Sequence, residues 1–263
     1  MKRLSTWKKI VVLMALSVPV FSCSSDDDIA PDGSGKQEKR LSKIEIDAQN
    51  HSAFTYNDGL LTAMEELTDG HLERSTILYA ADKKPTEMVM PDGKIKFVYA
   101  GDRLVKEELY ETGSTVPGLF NEYIYDGKHV KEVIGYVMDE GEKMALFKRK
   151  FSYYANGDLQ QVEVLEQGLT EGLELSITIT YVYDDKKSPY IPTVGPYIAL
   201  LTQTFAKHNV IKETTVDASG AINEEIVTTY SYDDQGYPTA AVEKKTEHGG
   251  TPQTTNKKFI YLP

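Results

Sequence analysis

Three residue types in this 263-residue chain have the chemistry to act on a ligand, and their spacing decides what each can do. Carboxylates are the most abundant, and three pairs are sequence neighbours: Glu65-Glu66, Glu107-Glu108 and Glu224-Glu225. Two carboxylates flanking one glycosidic bond would make a hydrolase. Neighbours on a strand point to opposite faces, so such a dyad would have to come from separate strands. Solvated faces account for these acids more simply. The five histidines, His51, His71, His129, His208 and His248, fall at no metal-ligand spacing, and no His-Glu-x-x-His occurs. Asp184-Asp185 and Asp233-Asp234 carry oxygens suited to calcium, but no full ligand loop follows and turn chemistry explains them first. Gly33-Ser34-Gly35-Lys36 is not a phosphate loop: Ala30 stands at the first glycine position and Gln37 replaces the magnesium-binding hydroxyl. There is no Gly-x-Ser-x-Gly elbow either. No cofactor and no metal is expected. The remaining resource is aromatic, with 17 tyrosines. A tyrosine ring stacks on apolar faces, such as those of sugars, and its hydroxyl adds a hydrogen bond. Most fall at regular core-facing positions. Phe120, Tyr190, Tyr197 and Tyr237 lie in or near turns and a long insertion, and they are the candidate ligand-binding residues.

One residue is placed for covalent modification. Cys23, the only cysteine, follows an 11-residue apolar run, Ile10 to Val20, itself preceded by Lys2, Arg3, Lys8 and Lys9. That order is a secretory signal peptide, and the run is too short for a membrane span, which needs about 20 apolar residues. Val20-Phe21-Ser22-Cys23 resembles a bacterial lipobox, in which cleavage precedes a cysteine that carries diacylglycerol. Ordinary secretion with a cut near Ser22 or Ser25 is the alternative. The following Ser24-Ser25-Asp26-Asp27-Asp28 is similar to surface-export tracts of Bacteroidota lipoproteins, and Pro31-Asp32-Gly33-Ser34-Gly35 has linker composition. The expected organisation is a signal peptide over 1–22, an acidic flexible tether over 23–39 and a single domain over 40–263. The leader carries four cations and no acid, so its removal takes the formal charge from −11 to −15. Such a surface disfavours nucleic acid, whose phosphates demand cationic neutralisation. With no second cysteine to form a disulfide, stability must come from a hydrophobic core.

The elements that must position these side chains are read from a repeat. An aromatic-x-Tyr step followed by a turn occurs at Phe54-Thr55-Tyr56, Phe97-Val98-Tyr99, Tyr123-Ile124-Tyr125, Phe151-Ser152-Tyr153, Tyr181-Val182-Tyr183, Tyr230-Ser231-Tyr232 and Phe259-Ile260-Tyr261, with a weaker copy at Ile77-Leu78-Tyr79. Residues i and i+2 share a strand face, so each copy presents two large side chains on one side. Asn-Asp-Gly, Asp-Gly and Asn-Gly steps close tight hairpins behind them. Further turns lie between copies, for instance Thr68-Asp69-Gly70 and Pro91-Asp92-Gly93. Successive copies are 20 to 30 residues apart, so each period holds two antiparallel strands, about 15 in all. One interval, from Tyr181 to Tyr230, is 49 residues long. It contains Pro189, Pro192 and Pro196, and Pro196 could open a short helix near 196–206. This insertion reads as a cap or plug on an open edge or mouth, or else as a binding face.

The Tyr-x-Tyr-Asp steps resemble, weakly, the tyrosine-aspartate repeats of Rhs-type shells. The chain from about residue 40 to 263 looks more like an uncharacterised family of Bacteroidota lipoproteins, described as a domain of unknown function with a porin-like fold. The lipobox, the hairpin steps, Asp184-Asp185-Lys186-Lys187-Ser188-Pro189 and Lys207-His208-Asn209-Val210 carry that resemblance. It implies an all-β, up-and-down antiparallel meander curled or closed into a porin-like barrel, and no activity. Lys106, Glu108, Lys131, Glu163, Glu174 and Glu243 are expected on the face opposite the aromatics, which argues against a lipid-facing wall. The expected function is that of an outer-membrane lipoprotein, surface-exposed or periplasm-facing, attached by its lipid and binding a glycan or an envelope protein without catalysis. A structural or assembly component of the envelope is the alternative, and a carboxylate-based hydrolase the third reading.

Overall fold

The computed structural model describes residues 38–139, 141–168, 172–190, 192–193 and 206–263. Cys23, the signal peptide, all but the last two residues of the tether, Tyr197 and all but residue 206 of the expected helix lie outside them. The strands are β1 (Leu41–Glu45), β2 (His51–Asn57), β3 (Leu60–Thr68), β4 (His71–Tyr79), β5 (Pro85–Met90), β6 (Gly93–Ala100), β7 (Arg103–Glu111) and β8 (Leu119–Asp126). They continue with β9 (His129–Asp139), β10 (Glu142–Tyr153), β11 (Leu159–Gln167), β12 (Leu173–Lys187), β13 (His208–Asp217), β14 (Ile222–Tyr232), β15 (Pro238–Glu247) and β16 (Gln253–Tyr261). Each pairs antiparallel with its neighbours in sequence, and β1 pairs with β16 to close the barrel. The aromatic steps fill the even-numbered strands β2 to β16, with an odd-numbered strand between each pair. This gives the 15 strands legible between the first and last copies. The sixteenth is β1, which precedes the first copy and carries no aromatic step. Closure removes the sheet edges that an open meander would leave unpaired.

One local device repeats around the barrel. Opposite the second residue of every aromatic step, the partner strand carries an extra residue, so each hairpin has a β-bulge at the same height. Tyr56 faces Leu61, Tyr99 faces Leu104, Tyr153 faces Leu159 and Tyr261 faces Leu41. All four leucines are buried. A bulge bends a strand and sharpens its twist, which suits sixteen strands curling into a ring. Where the extra residue bears a hydroxyl, it donates to the facing carbonyl: Ser42 to Ile260, Thr62 to Thr55, Thr86 to Leu78 and Thr239 to Ser231.

The tyrosine hydroxyls add a second clasp. In six of the eight steps the hydroxyl donates to the main-chain carbonyl of the residue that faces the tyrosine of the preceding hairpin: Tyr56 to Leu41, Tyr79 to Leu61, Tyr99 to Pro85, Tyr125 to Leu104, Tyr153 to Val130 and Tyr261 to Pro238, at 2.7–2.8 Å. The aromatic face is the inner wall. Ile77, Met88, Ile95, Phe97, Leu109, Tyr123, Val133, Phe151 and Val162 form its main apolar cluster.

The outer wall is polar. Cross-strand and same-strand ion pairs run along it: Arg74–Glu65, Lys94–Glu87, Lys106–Glu108, Lys143–Glu122, Lys148–Glu132, Lys150–Glu163 and Lys212–Glu225, at 2.7–3.5 Å. Each contributes little to stability. Together they interrupt the uncharged band, about 25 Å tall, that a lipid-facing wall requires. Glu174 and Glu243 correct the expected face assignment. Glu174 pairs with the inward Glu166 beyond a bulge at Ser176. Glu243 lies inside with Ala241 and Lys257, because β15 re-enters its ladder beyond the bulge opposite Tyr232.

Candidate functional site

Where alternation would place apolar residues on the inner wall, several strands carry polar ones instead. Glu107 on β7 lies between the bulge and Leu109 and is 0% exposed. Its carboxyl accepts the Tyr123 hydroxyl at 2.6 Å and the Asn121 amide at 3.1 Å. Burial pushes its pKa up, against the lowering pull of those two hydrogen bonds. On β10 the inward series is Phe147, Arg149, Phe151 and Tyr153. The Arg149 guanidinium rests over the Phe147 ring, 5.2 Å from its centroid. Phe147 in turn lies across the backbone of β9, in space that exists because position 135 is glycine. A Cβ there would sit 2.2 Å from the Phe147 ring. Gly135 therefore positions Phe147, and Phe147 positions Arg149.

Arg149 acts electrostatically on Tyr123, Tyr181, Glu107 and Glu166, yet among the described residues it has no hydrogen bond or ion pair. Tyr181 on β12 is 1% exposed and its hydroxyl has no partner. The Oδ1 of Asn121 is also buried and unpaired. Across the ladder from Tyr181 stands Glu213 on β13. Burial, with Glu224 and Glu243 adding repulsion, pushes its pKa up to about 8. The belt continues with Lys245, which holds Glu224 at 2.6 Å, and Lys257, which holds Glu243 at 2.6 Å. Arg149 and Glu213 are half-buried rather than enclosed, so the belt faces a space that solvent reaches.

The rim near the insertion holds a second polar cluster. Ser188 N–H donates to the Lys207 carbonyl and pinches the insertion at its base. Asp158, 0% exposed in the β10–β11 turn, accepts Lys207 N–H at 3.0 Å and the Asn156 amide at 2.7 Å, and its other contact is His208 Nδ1 at 2.6 Å. Asp184 accepts the Asn209 N–H at 3.1 Å and the Tyr232 hydroxyl. Thr193 donates to the Pro189 carbonyl and accepts the Leu41 N–H at 2.9 Å, tying the insertion to the start of β1. Tyr190 packs against the apolar clusters on both sides of that junction. The insertion and the start of the domain thus share one end of the barrel. The described ends of the insertion lie against the wall, where a plug would be held.

The closed sixteen-strand meander and its aromatic inner wall decide the comparison with known structures. The chain has a porin-like barrel fold. A porin-like protein from Bacteroides uniformis superposes with a TM-score of 0.53 at 14% identity, over 84% of this chain and 96% of that one. A second, from Bacteroides vulgatus, gives 0.52 at 11% identity, over 86% and 100%. The sequence matches no family model and no curated protein. At these identities the likeness concerns the fold alone.

Of the expected ligand-binding residues that are described, the porin-like barrel brings Tyr190 and Tyr237 to one rim, both next to Tyr261, and sets Phe120 apart. Phe120 points outward, stacked on Tyr136 at 5.4 Å, with Lys106 4.3 Å and Lys143 5.4 Å from its centroid. Tyr237 is buried in the β14–β15 turn against Tyr261, with Lys187 over its ring. Tyr190 lies inside. Glu107, Arg149 and Glu213 were not singled out as ligand-binding residues in the sequence, although a signal exists for the first two. Arg149 is charged between the apolar-face residues Phe147 and Phe151, and Glu107 stands two residues before Leu109, whereas Glu213 is followed at i+2 by Thr215 and has no such signal. The neighbouring acids do separate as strand geometry demands. Glu107 faces in, while Glu108 faces out to Lys106 and Tyr110. Among the described residues, no three His, Cys, Asp or Glu side chains are grouped to hold a metal.

Proposed function

We propose that this chain is an outer-membrane lipoprotein, anchored through Cys23 at the cell surface, whose barrel binds a glycan without turning it over. The observation that carries the reading is the inner polar belt. It presents a guanidinium with no hydrogen bond or ion pair among the described residues, together with a buried tyrosine hydroxyl and a buried amide oxygen that have no partner, on a wall rich in aromatic and aliphatic side chains. Natural proteins leave few buried polar atoms unsatisfied, so a concentration of them marks a place where something else supplies the bonds. Sites of this kind, mostly apolar with a few convergent polar groups, are the usual form of small-ligand pockets. The domain starts at the rim that carries the insertion, so a lipid-anchored chain would turn that rim to the membrane and the opposite mouth outward.

Catalysis is disfavoured by the pairing and spacing of the acids. Glu107 is spent on Tyr123 and Asn121, while Glu224 and Glu243 are each held by a lysine. Glu166 on the same wall has no hydrogen bond or ion pair among the described residues, but it pairs with Glu174, seven residues along β12 from the Tyr181 that faces Glu213, roughly 20 Å at about 3.3 Å per residue. Both glycosidase mechanisms need two carboxylates within about 10 Å. The reading is tested in two steps. Metabolic labelling with a palmitate analogue should tag the full chain and fail on Cys23→Ala, and surface proteolysis of intact cells should remove the domain. The secreted, unlipidated domain should then retain glycans on an array without shortening them. A domain that captures no glycan, yet cross-links to one envelope protein in cells, would replace this reading with an assembly role.

A further inference from the structure

We propose that Arg149, Tyr181 and Glu213 form one binding site on the inner wall, for an uncharged, hydroxyl-rich sugar rather than an acidic one. This rests on the glycan reading above and narrows it to a site and a ligand class. The three side chains come from β10, β12 and β13. Tyr181 stands directly across the ladder from Glu213 and lies within the electrostatic reach of Arg149. Their free valences are mixed. Arg149 offers a planar fork of N–H donors, Glu213 offers carboxyl oxygens that accept no hydrogen bond among the described residues, and the Tyr181 hydroxyl can give or take. Asn121, bonded to the Glu107 that lies within reach of Arg149, adds an unpaired acceptor oxygen on the same wall. Sugar hydroxyls donate and accept at once, so a pair of neighbouring hydroxyls satisfies such a set, whereas a carboxylate or sulfate only accepts.

The charge distribution selects in the same direction. One cation, Arg149, lies within electrostatic reach of Glu107 and Glu166, and Glu213, next to Tyr181, has Glu224 and Glu243 around it. Two lysines are already committed to Glu243 and Glu224. An anionic ligand would meet more acids than free cations. The Phe147 ring holds the guanidinium from one side, leaving its N–H edge for the ligand. The Tyr181 hydroxyl is buried without a partner next to the solvent-reached Glu213, and a buried polar group is costly until its bond is made.

The test uses the mature chain with Cys23→Ser, isothermal titration calorimetry, and hexasaccharides of neutral glucose, mannose and xylose beside hexagalacturonate. At least one neutral hexasaccharide should bind and the galacturonate should not. Tyr181→Phe, which removes one oxygen and keeps the ring, should weaken that binding about tenfold, the equivalent of roughly 1.4 kcal/mol. Arg149→Lys should weaken it further. Without ligand, Tyr181→Phe should melt no lower than the parent, which separates loss of the site from loss of the fold. Neutral binding that survives both substitutions overturns the site and leaves the glycan reading intact. Preference for the galacturonate overturns the ligand class. Binding of no saccharide overturns the glycan reading and this inference together.

Discussion

The barrel has two unlike arcs. From β1 round to the end of β10, every aromatic step repeats the same clasp, with a bulge, a buried partner and a tyrosine hydroxyl on a carbonyl of the hairpin before. Around the insertion, from β11 to β14, the bulges persist and the clasps do not. Tyr183 faces Val210 as its relatives face theirs, but its hydroxyl is buried without a partner. Tyr232 turns to Asp184 instead of a carbonyl, and the carbonyl of Val210 is taken by Tyr230. Side chains take over what backbone does elsewhere: Asp158 and Asp184 hold the insertion by its base. The regular arc spends its tyrosine hydroxyls on closure, although Asn121 Oδ1 and His129 Nε2 there are buried without a partner. The irregular arc leaves some unspent, and they border the inner belt. In this molecule departure from the repeat, rather than the repeat, marks where a ligand site can arise.

The largest test of that contrast is Asp158→Ala. It strips a fully buried carboxylate and leaves Lys207 N–H, Asn156 and His208 to find other partners. Hydrogen bonds to a charged group contribute about 1.5–3 kcal/mol, and unsatisfied groups add to the loss. A fall of about 3 kcal/mol or more is expected in urea unfolding. In the regular arc the exposed turn residue Asp126, changed to alanine, should cost under about 0.5 kcal/mol. Equal costs would mean that the insertion is not held through Asp158.

A second effect depends on pH. The folded pKa of Glu213 is raised from 4.5 to about 8. The folded state therefore binds the proton more tightly than the unfolded chain does, and stability is lost as pH rises from about 4.5 through 8. Solvent reaches the carboxyl, so the loss should be about 1–2 kcal/mol, well below what the whole shift would imply. For a chain of this length that lowers the melting temperature by roughly 2–8 °C between pH 5 and pH 9. Glu213→Gln should flatten this slope, and an unchanged slope would assign it elsewhere in the belt.

The architecture was legible because two periodicities coincide in the sequence: the alternation along each strand and the 20–30-residue recurrence of aromatic-x-Tyr. Even the weak copy at Ile77-Leu78-Tyr79 proved to be a full member, with its bulge opposite Pro85 and its clasp on Leu61. β1 was not countable from the repeat, because its pairing with β16 joins residues about 220 apart in sequence and depends on closure alone. The inner belt was hidden for a different reason. Turn-proximal aromatics drew attention to Phe120 and Tyr237, but a ring near a turn is equally able to cap a rim. Phe120 was further obscured by its strand. Its neighbours Leu119 and Asn121 face in, so it must face out, where lysines cover it. Bulges also shift the inside-outside phase by one residue, so parity counted from the aromatic step misassigns distal positions such as Glu243.

The smallest effect isolates the clasp itself. Tyr125→Phe removes a hydroxyl that donates to the Leu104 carbonyl at 2.8 Å, and it leaves the carbonyl of that buried residue with one bond fewer. The net cost of such a bond is about 1 kcal/mol, worth roughly 2–4 °C in melting temperature. Tyr183→Phe removes the same atom from the same place in the repeat, but there the hydroxyl has no partner. Its loss forfeits no bond and relieves the desolvation of a buried polar group, the burial that also raises its pKa. The melting temperature should stay level or rise. Because the two substitutions are chemically identical and each keeps its ring in the inner wall, lost packing cannot account for a difference between them. Equal destabilisation would show that the Tyr183 hydroxyl has a partner in solution, and the irregular arc would then be as fully closed as the regular one.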